Sequence, residues 1–245
     1  GLFEILHPLK GDNGDCVKAG LPKITDLHFA YSRDGKTFLR PDRTAAIPAS
    51  RWGSGKWDTG YLSPMGGICV IKDERLWFYY SAMRGDARER TPYSADPEIG
   101  WRRNGMHFNF SVGVATLRRD GFVGLVADGD GTVVTRPLVF SGRHLFVNAE
   151  CRFGSLAAEV LDEGGKPIPG FSVADCRTFE RRDETKAELC WKGGDLSAFA
   201  GRSVRFRFRL ACGTFYSFWV SPDKSGKSGG YLAAGGPAYG GLRDL

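Results

Sequence analysis

The sequence predicts an all-β protein: a partial β-propeller of about two blades over residues 1–126, then a β-sandwich over 127–245 that ends in an irregular tail. Three observations predict it. Two segments are built alike: Phe29-Ala30-Tyr31-Ser32-Arg33-Asp34-Gly35-Lys36-Thr37-Phe38, and the run from Phe108 to Phe122 through Arg118-Arg119-Asp120-Gly121. Each takes an apolar strand into an Asp-Gly turn, and their spacing of roughly 85 residues reads as a repeated blade. Helical periodicity is missing beyond about two turns. Gly is abundant, at 34 residues, where hairpin turns use it.

In chain order, residues 2–6 form a short strand, 11–23 a loop, 27–31 a strand and 37–39 another after the Asp34-Gly35 turn. Residues 41–60 are a long loop with Pro41, Pro48, Gly53, Gly55 and Gly60. Strands 68–71 and 75–81 follow, joined by the tight polar loop Lys72-Asp73-Glu74. The charged, Pro-containing segment 84–106 is long for a compact domain, which reads either as a functional loop or as a solvated charged one, the latter preferred. Strands 107–117 and 122–126 complete four strands in sequence order, the layout of a propeller blade. The preceding blade has candidates for three strands only, so the chain reads as beginning inside a blade.

The second half changes rhythm. Strands at 132–139, 144–148, 155–161, 171–175, 186–191, 203–210 and 214–221 are separated by Gly-rich turns, the pattern of a sandwich. Its expected core is Leu145, Val147, Leu156, Val160, Leu189, Val204, Phe206, Phe208, Phe215 and Trp219. From 222 onward the chain is Gly- and Ser-rich and is expected to lie irregularly on the surface.

With 42% apolar residues the chain can bury a substantial core. The net charge of +6 admits an anionic partner, but Arg205, Arg207 and Arg209 alternate with Val204, Phe206 and Phe208 as the solvent face of a strand would. No recognition helix, zinc spacing or RNA-binding aromatic motif is present, so nucleic acid is not an expected partner. No apolar run reaches the roughly 18–20 residues of a membrane-spanning helix, so no membrane partner is expected. Six cysteines lack any C-x-x-C pair. Cys69 and Cys190 read as buried thiols, and a Cys151–Cys176 disulfide stays open. The compartment therefore stays open too, a secreted or periplasmic setting being one reading. No cofactor, metal-ligand cluster, phosphate loop or Ser-His-Asp order is apparent.

Several stretches resemble bacterial relatives of glycoside hydrolase families 32 and 43. They are Ala30-Tyr31-Ser32-Arg33-Asp34-Gly35, Trp57-Asp58-Thr59-Gly60-Tyr61, Val114 to Phe122, Thr135-Arg136-Pro137-Leu138, Leu145-Phe146-Val147-Asn148 and Phe215-Tyr216-Ser217-Phe218-Trp219. The resemblance covers most of the chain. In family 32 it implies a five-bladed propeller with a C-terminal sandwich; here the N-terminal blades, with the nucleophile, are not matched. Only Glu150-Cys151 matches a piece of the family's catalytic motifs, and it lies in the expected sandwich, away from an axis.

The resemblance implies a carbohydrate ligand at the propeller axis, near the start of each innermost strand. Asp58 precedes such a strand and is the candidate catalytic carboxylate; Trp57 and Tyr61 are candidates to stack on a sugar. The same residues also suit a turn cap and blade packing. Asp34 and Asp120 read as turn residues. Arg102, in the charged loop, and His107, opening a strand, are candidate substrate contacts. Glycoside hydrolysis needs two carboxyl groups, and Asp58 has no evident partner. Three readings follow: a glycoside hydrolase relative, a non-catalytic carbohydrate-binding module, or a fragment whose open edge is closed by another chain, a homo-oligomer or a missing N-terminal region.

Overall fold

The computed structural model describes residues 1–7, 24–32, 34–51, 53–84 and 109–230, without the side chains of 66–68. It is all-β, 54% strand and 4% helical, and its main sheet curls into a half barrel. The chain divides into two compact units: Gly1–Val70 with Trp77–Thr116, and Ile71–Leu76 with Leu117–Leu245. The loop 85–106, Arg102, His107 and the tail beyond 230 lie outside the described residues.

In the first unit, β1 (Leu2–His7) and β2 (Ile24–Phe29) form an antiparallel pair. β3 (Gly60–Lys72), β4 (Arg75–Met83) and β5 (Phe110–Arg118) form a second sheet in sequence order, of which Ile71–Leu76 and residues 117–118 count with the second unit. The small core is Leu27, Leu62, Tyr80 and Ala82. The buried Thr25 hydroxyl donates to the Leu62 carbonyl and ties β2 to β3.

The two expected Asp-Gly turns differ. At Asp34 the carboxylate accepts the amides of Lys36 (2.9 Å) and Thr37 (2.7 Å), while Gly35 takes φ +72°. Those bonds hold the Asp34 carboxyl well below the usual range. The strand beyond it, expected at 37–39, is a single bridge between Tyr31 and Leu39. At the second turn Asp120 itself takes φ +51°, and the Gly121 amide bonds the Arg118 carbonyl at 3.0 Å. The tight loop between β3 and β4 is Asp73-Glu74, both left-handed at φ +52° and +56°, as a two-residue hairpin of this hand demands.

The second unit is one six-stranded sheet. Its strands are β6 (Leu125–Val134), β7 (His144–Glu150), β8 (Ser155–Leu161), β9 (Phe179–Glu180), β10 (Asp183–Leu189) and β11 (Arg205–Ser221). Leu125 and Val126 open β6 and pair with β11, so the fourth strand expected beside β5 belongs to this sheet instead. Residues 203–210 and 214–221, expected as two strands, are the single long β11. Residues 171–175, expected as a strand, contain the 3-10 turn Val173–Asp175, closed by a Ser172–Asp175 capping box.

β11 organises the sheet. One edge pairs with β6. Along the other edge β7 lies against Thr214–Ser221, and β8 continues against Arg205–Ala211. Between them β11 bulges, with a register shift at Ala211/Gly213 and Cys212 at φ +42°, and it shifts again at Phe215/Ser217 within the stretch paired with β7. Such bulges bend a strand and increase its twist. At the bend, a Cβ on Gly154 would sit 1.7 Å from the Ala211 carbonyl oxygen, and one on Gly213 would sit 2.7 Å from the Glu150 oxygen. Only glycine fits at this corner.

The curl encloses the core expected from the sequence, except for Trp219. Phe206, Phe208, Phe215 and Phe218 meet ring to ring at 4.6 to 6.3 Å. Phe206 and Phe208 are almost wholly buried, contributing about 1.5–3 kcal/mol each. Trp219 lies on the opposite face, stacked on Phe146 at 5.8 Å with its indole N–H on the Gly226 carbonyl. Cys151 and Cys176 are both buried free thiols, and burial pushes Cys151 up to about 11. Cys190 is exposed rather than buried: it follows the last residue of β10, where the chain leaves the sheet.

Gly154→Ala is expected to destabilise the protein by roughly 3 kcal/mol or more, because backbone must move to admit the methyl. Gly129→Ala, where a Cβ meets nothing within 4 Å, is the near-neutral control; urea denaturation of both variants checks the difference. In native protein at pH 8, iodoacetamide is expected to modify Cys190 and Cys212 well before Cys151 and Cys176, read by peptide mass spectrometry.

Candidate functional site

Trp57, Asp58 and Tyr61 sit where the long loop enters β3. The loop is closed at its base by the Ser50 amide on the Asp58 carbonyl (2.9 Å) and shaped by Gly53 and Gly55 at φ +79° and +77°. The Thr59 hydroxyl then donates to the Arg84 carbonyl, fixing the start of β3. Tyr61 takes φ +44° and is half-buried.

These constraints place the Trp57 indole against Tyr80, centroids 5.6 Å apart and planes 30° apart. Beneath it lies Gly113 of β5, where a Cβ would come within 2.4 Å of the indole. The ring is thus seated by a glycine on one strand and a phenol on the next, and 37% of Trp57 stays exposed. Burial raises the Tyr80 phenol above its ordinary pKa, and the negative charge of Asp58 adds to the rise. Asp58 is half-buried. The arrangement offers an aromatic plate beside an anionic acceptor. Sugars use such a pair: the ring covers C–H faces and the carboxylate accepts hydroxyls. Arg102 and His107 lie outside the described residues.

The first unit also brings together a group that the sequence reading missed. On β1 and β2, Ile5 pairs with Asp26, Phe3 with His28 and His7 with Ile24, so all six share one face. His7 Nε2 lies 2.8 Å from Asp26 Oδ2. Asp26 Oδ1 accepts the Ala49 amide, which fixes the carboxylate plane. One ligand atom each from His7, Asp26 and His28 lies within 4.8 Å of the others. His28 is only 4% exposed, and neither ring nitrogen has a hydrogen-bond partner among the described residues. Burial, then the charge of Arg40, lowers the His28 pKa and keeps the ring neutral. The legible signal was Asp26 and His28 at i and i+2, one face of a strand; nothing in the sequence brought His7 to it.

In the second unit, Asp73, Glu74, Arg75, Arg118 and residues 183–186 line an open cleft of about 500 Å³. Several of its charges are engaged by neighbouring groups. Arg118 bonds Asp183, Asn148 and the Ala149 carbonyl, and lies 5.0 Å above the Tyr216 ring. Glu74 accepts from Arg119 (3.0 Å) and the Thr185 hydroxyl (2.8 Å). No helix among the described residues is long and apolar enough to cross a membrane. Comparison with family models, curated proteins and solved structures returns no match to this chain.

Asp183 couples the fold to pH. Burial would raise its pKa, but hydrogen bonds from Arg152 and Arg118 outweigh burial and hold it below the ordinary carboxylate value. Its contribution is complete above the unfolded value of about 3.9 and fades as pH falls through the lower folded value. Asp183→Asn is expected to lose about 1.5–3 kcal/mol at pH 7. The gap from the unsubstituted protein should stay constant down to about pH 5 and narrow below about pH 4, measured by urea denaturation across pH.

Proposed function

We propose that this protein binds carbohydrate at the Trp57–Asp58 platform of its first unit. The observation that carries the reading is the indole seated on Tyr80 and Gly113 with a carboxylate one residue away. A plate held from below keeps one aromatic face for a ligand at little cost in conformational freedom. Among the described residues no second carboxyl group is seen beside Asp58, which favours holding a glycan over cutting it, since hydrolysis needs an acid and a second carboxylate across the scissile bond.

The finer architecture belongs to the same proposal. The sheet β3-β4-β5, an antiparallel meander in sequence order, is read as part of a propeller blade of the kind found in glycoside hydrolase families 32 and 43. The exposed Phe110, Val112 and Val114 on alternate residues of β5 support that reading, because a blade carries apolar residues on both faces. The curled sheet of the second unit is read as the accompanying sandwich. Hydrolase activity of that type is the alternative.

Trp57→Ala is expected to weaken glycan binding at least tenfold, and Asp58→Asn several-fold, on a glycan array and then by calorimetry with the best oligosaccharide. The reading fails if no glycan binds the unsubstituted protein, or if Trp57→Ala binds as well as it does. Release of reducing sugar that Asp58→Ala abolishes would replace the binding module with the enzyme.

A further inference from the structure

We infer that His7, Asp26 and His28 form a binding site for one first-row divalent transition metal, with zinc as the ion it would take most readily. The donor set is two imidazole nitrogens and one carboxylate oxygen, the set that zinc uses with His and Asp or Glu. Hard ions such as Mg²⁺ and Ca²⁺ would instead call for a shell of oxygens. The inference is independent of the Trp57–Asp58 reading.

Two observations carry it. The three ligand atoms converge within 4.8 Å from two adjacent strands. Bonds of about 2.0–2.1 Å at tetrahedral angles put ligand atoms roughly 3.3 Å apart, so the site needs a modest contraction. His7, with 49% of its side chain exposed, can supply it by a rotamer change. The second observation is His28. A buried imidazole with both nitrogens unpaired is costly, and burying it beside a carboxylate and a second imidazole makes sense where a metal occupies one nitrogen.

The surroundings fit a metal in other respects. The Ala49 amide on Asp26 Oδ1 orients the carboxylate from behind, as partners of metal ligands commonly do. The charges facing His28 are Arg40 and, when protonated, His7, which oppose a cation, and Asp26 and Asp42, which favour one. The ion would clip β1 to β2. A two-stranded sheet is marginal alone, and a cross-strand metal stabilises it by binding only the folded state. Three protein ligands would leave a position for water on the exposed His7 side.

The experiment titrates ZnCl2 into the chelator-treated protein by calorimetry, with Co²⁺ absorption as the report on coordination. The unsubstituted protein is expected to bind one equivalent that His7→Ala and Asp26→Asn each weaken at least tenfold. His7 is exposed, so its variant keeps the fold, and unchanged circular dichroism confirms this. His144→Gln, which alters the His144–Glu188 pair in the other unit, should leave that equivalent intact. Zinc should raise the melting temperature of the unsubstituted protein and not that of His7→Ala. The inference is overturned if zinc does not bind, or if the bound equivalent and the thermal shift persist in His7→Ala, which would assign them to the exposed Cys190 or Cys212.

Discussion

The bend in β11 is the constraint from which the second unit follows. A straight strand of this length could pair with two neighbours and leave its ends bare. Bulged at Cys212 and again near Tyr216, β11 instead holds β6 along one edge and β7 then β8 along the other. The connection between β7 and β8 must cross the bend at close range, which is why Gly154 lies against the Ala211 carbonyl and Gly213 against Glu150 and Cys151. Once the corner is closed, alternate residues of β7, β8 and β11 point into one enclosed space. The phenylalanines of β11 fill it.

A sheet curled this tightly buries polar groups on its outer face as well, and several find partners, although Arg205 Nε and Ser217 Oγ do not. Asn148 is 1% exposed yet accepts from Arg118 Nε and donates to the Arg119 carbonyl. Glu159 is similarly buried under Arg207, at 2.7 Å. Within the core, the Trp191 indole donates to the Ala158 carbonyl. Leaving any one of these unpaired would cost about 1–3 kcal/mol. Several arginines that the composition presents as a basic surface are therefore part of the fold: Arg118, Arg119, Arg152 and Arg207 all meet carboxylates.

The all-β class and most strand positions were legible, because alternation of apolar and polar residues directly encodes a half-buried strand. Residues 155–161 of β8 match their expected limits. What failed was whatever depends on partners distant in sequence. The continuity of β11 through Ala211-Cys212-Gly213 is invisible locally, since a Gly there reads as a turn. The two Asp-Gly dipeptides look identical as sequence, yet one turns on the carboxylate of Asp34 and the other on the backbone of Asp120. Trp219 alternates with the core residues but falls beyond the bulge near Tyr216, which switches the face it presents. At the platform, Trp57 and Asp58 were legible as loop residues ahead of a strand; the seat made by Gly113 and Tyr80 was not. His7 reached Asp26 and His28 only through strand pairing across a long loop.

The two units differ in how well their buried polar groups are satisfied. The interior of the curled sheet is packed with rings, several charges of its cleft are paired with one another, and its unpaired buried atoms are single ones, on Arg205 and Ser217. The first unit has a much smaller buried core, Leu27, Leu62, Tyr80 and Ala82, and so has less apolar burial to offset poorly satisfied polar atoms. Yet it contains His28, the residue with two unpaired buried polar atoms among the described residues, and the adjoining Arg40 with one. Strain and unsatisfied polarity persist where surrounding structure enforces them, and they concentrate at sites that bind. In this small unit that cost falls on its two-stranded sheet, where the unpaired His28 ring stands beside Asp26 and His7.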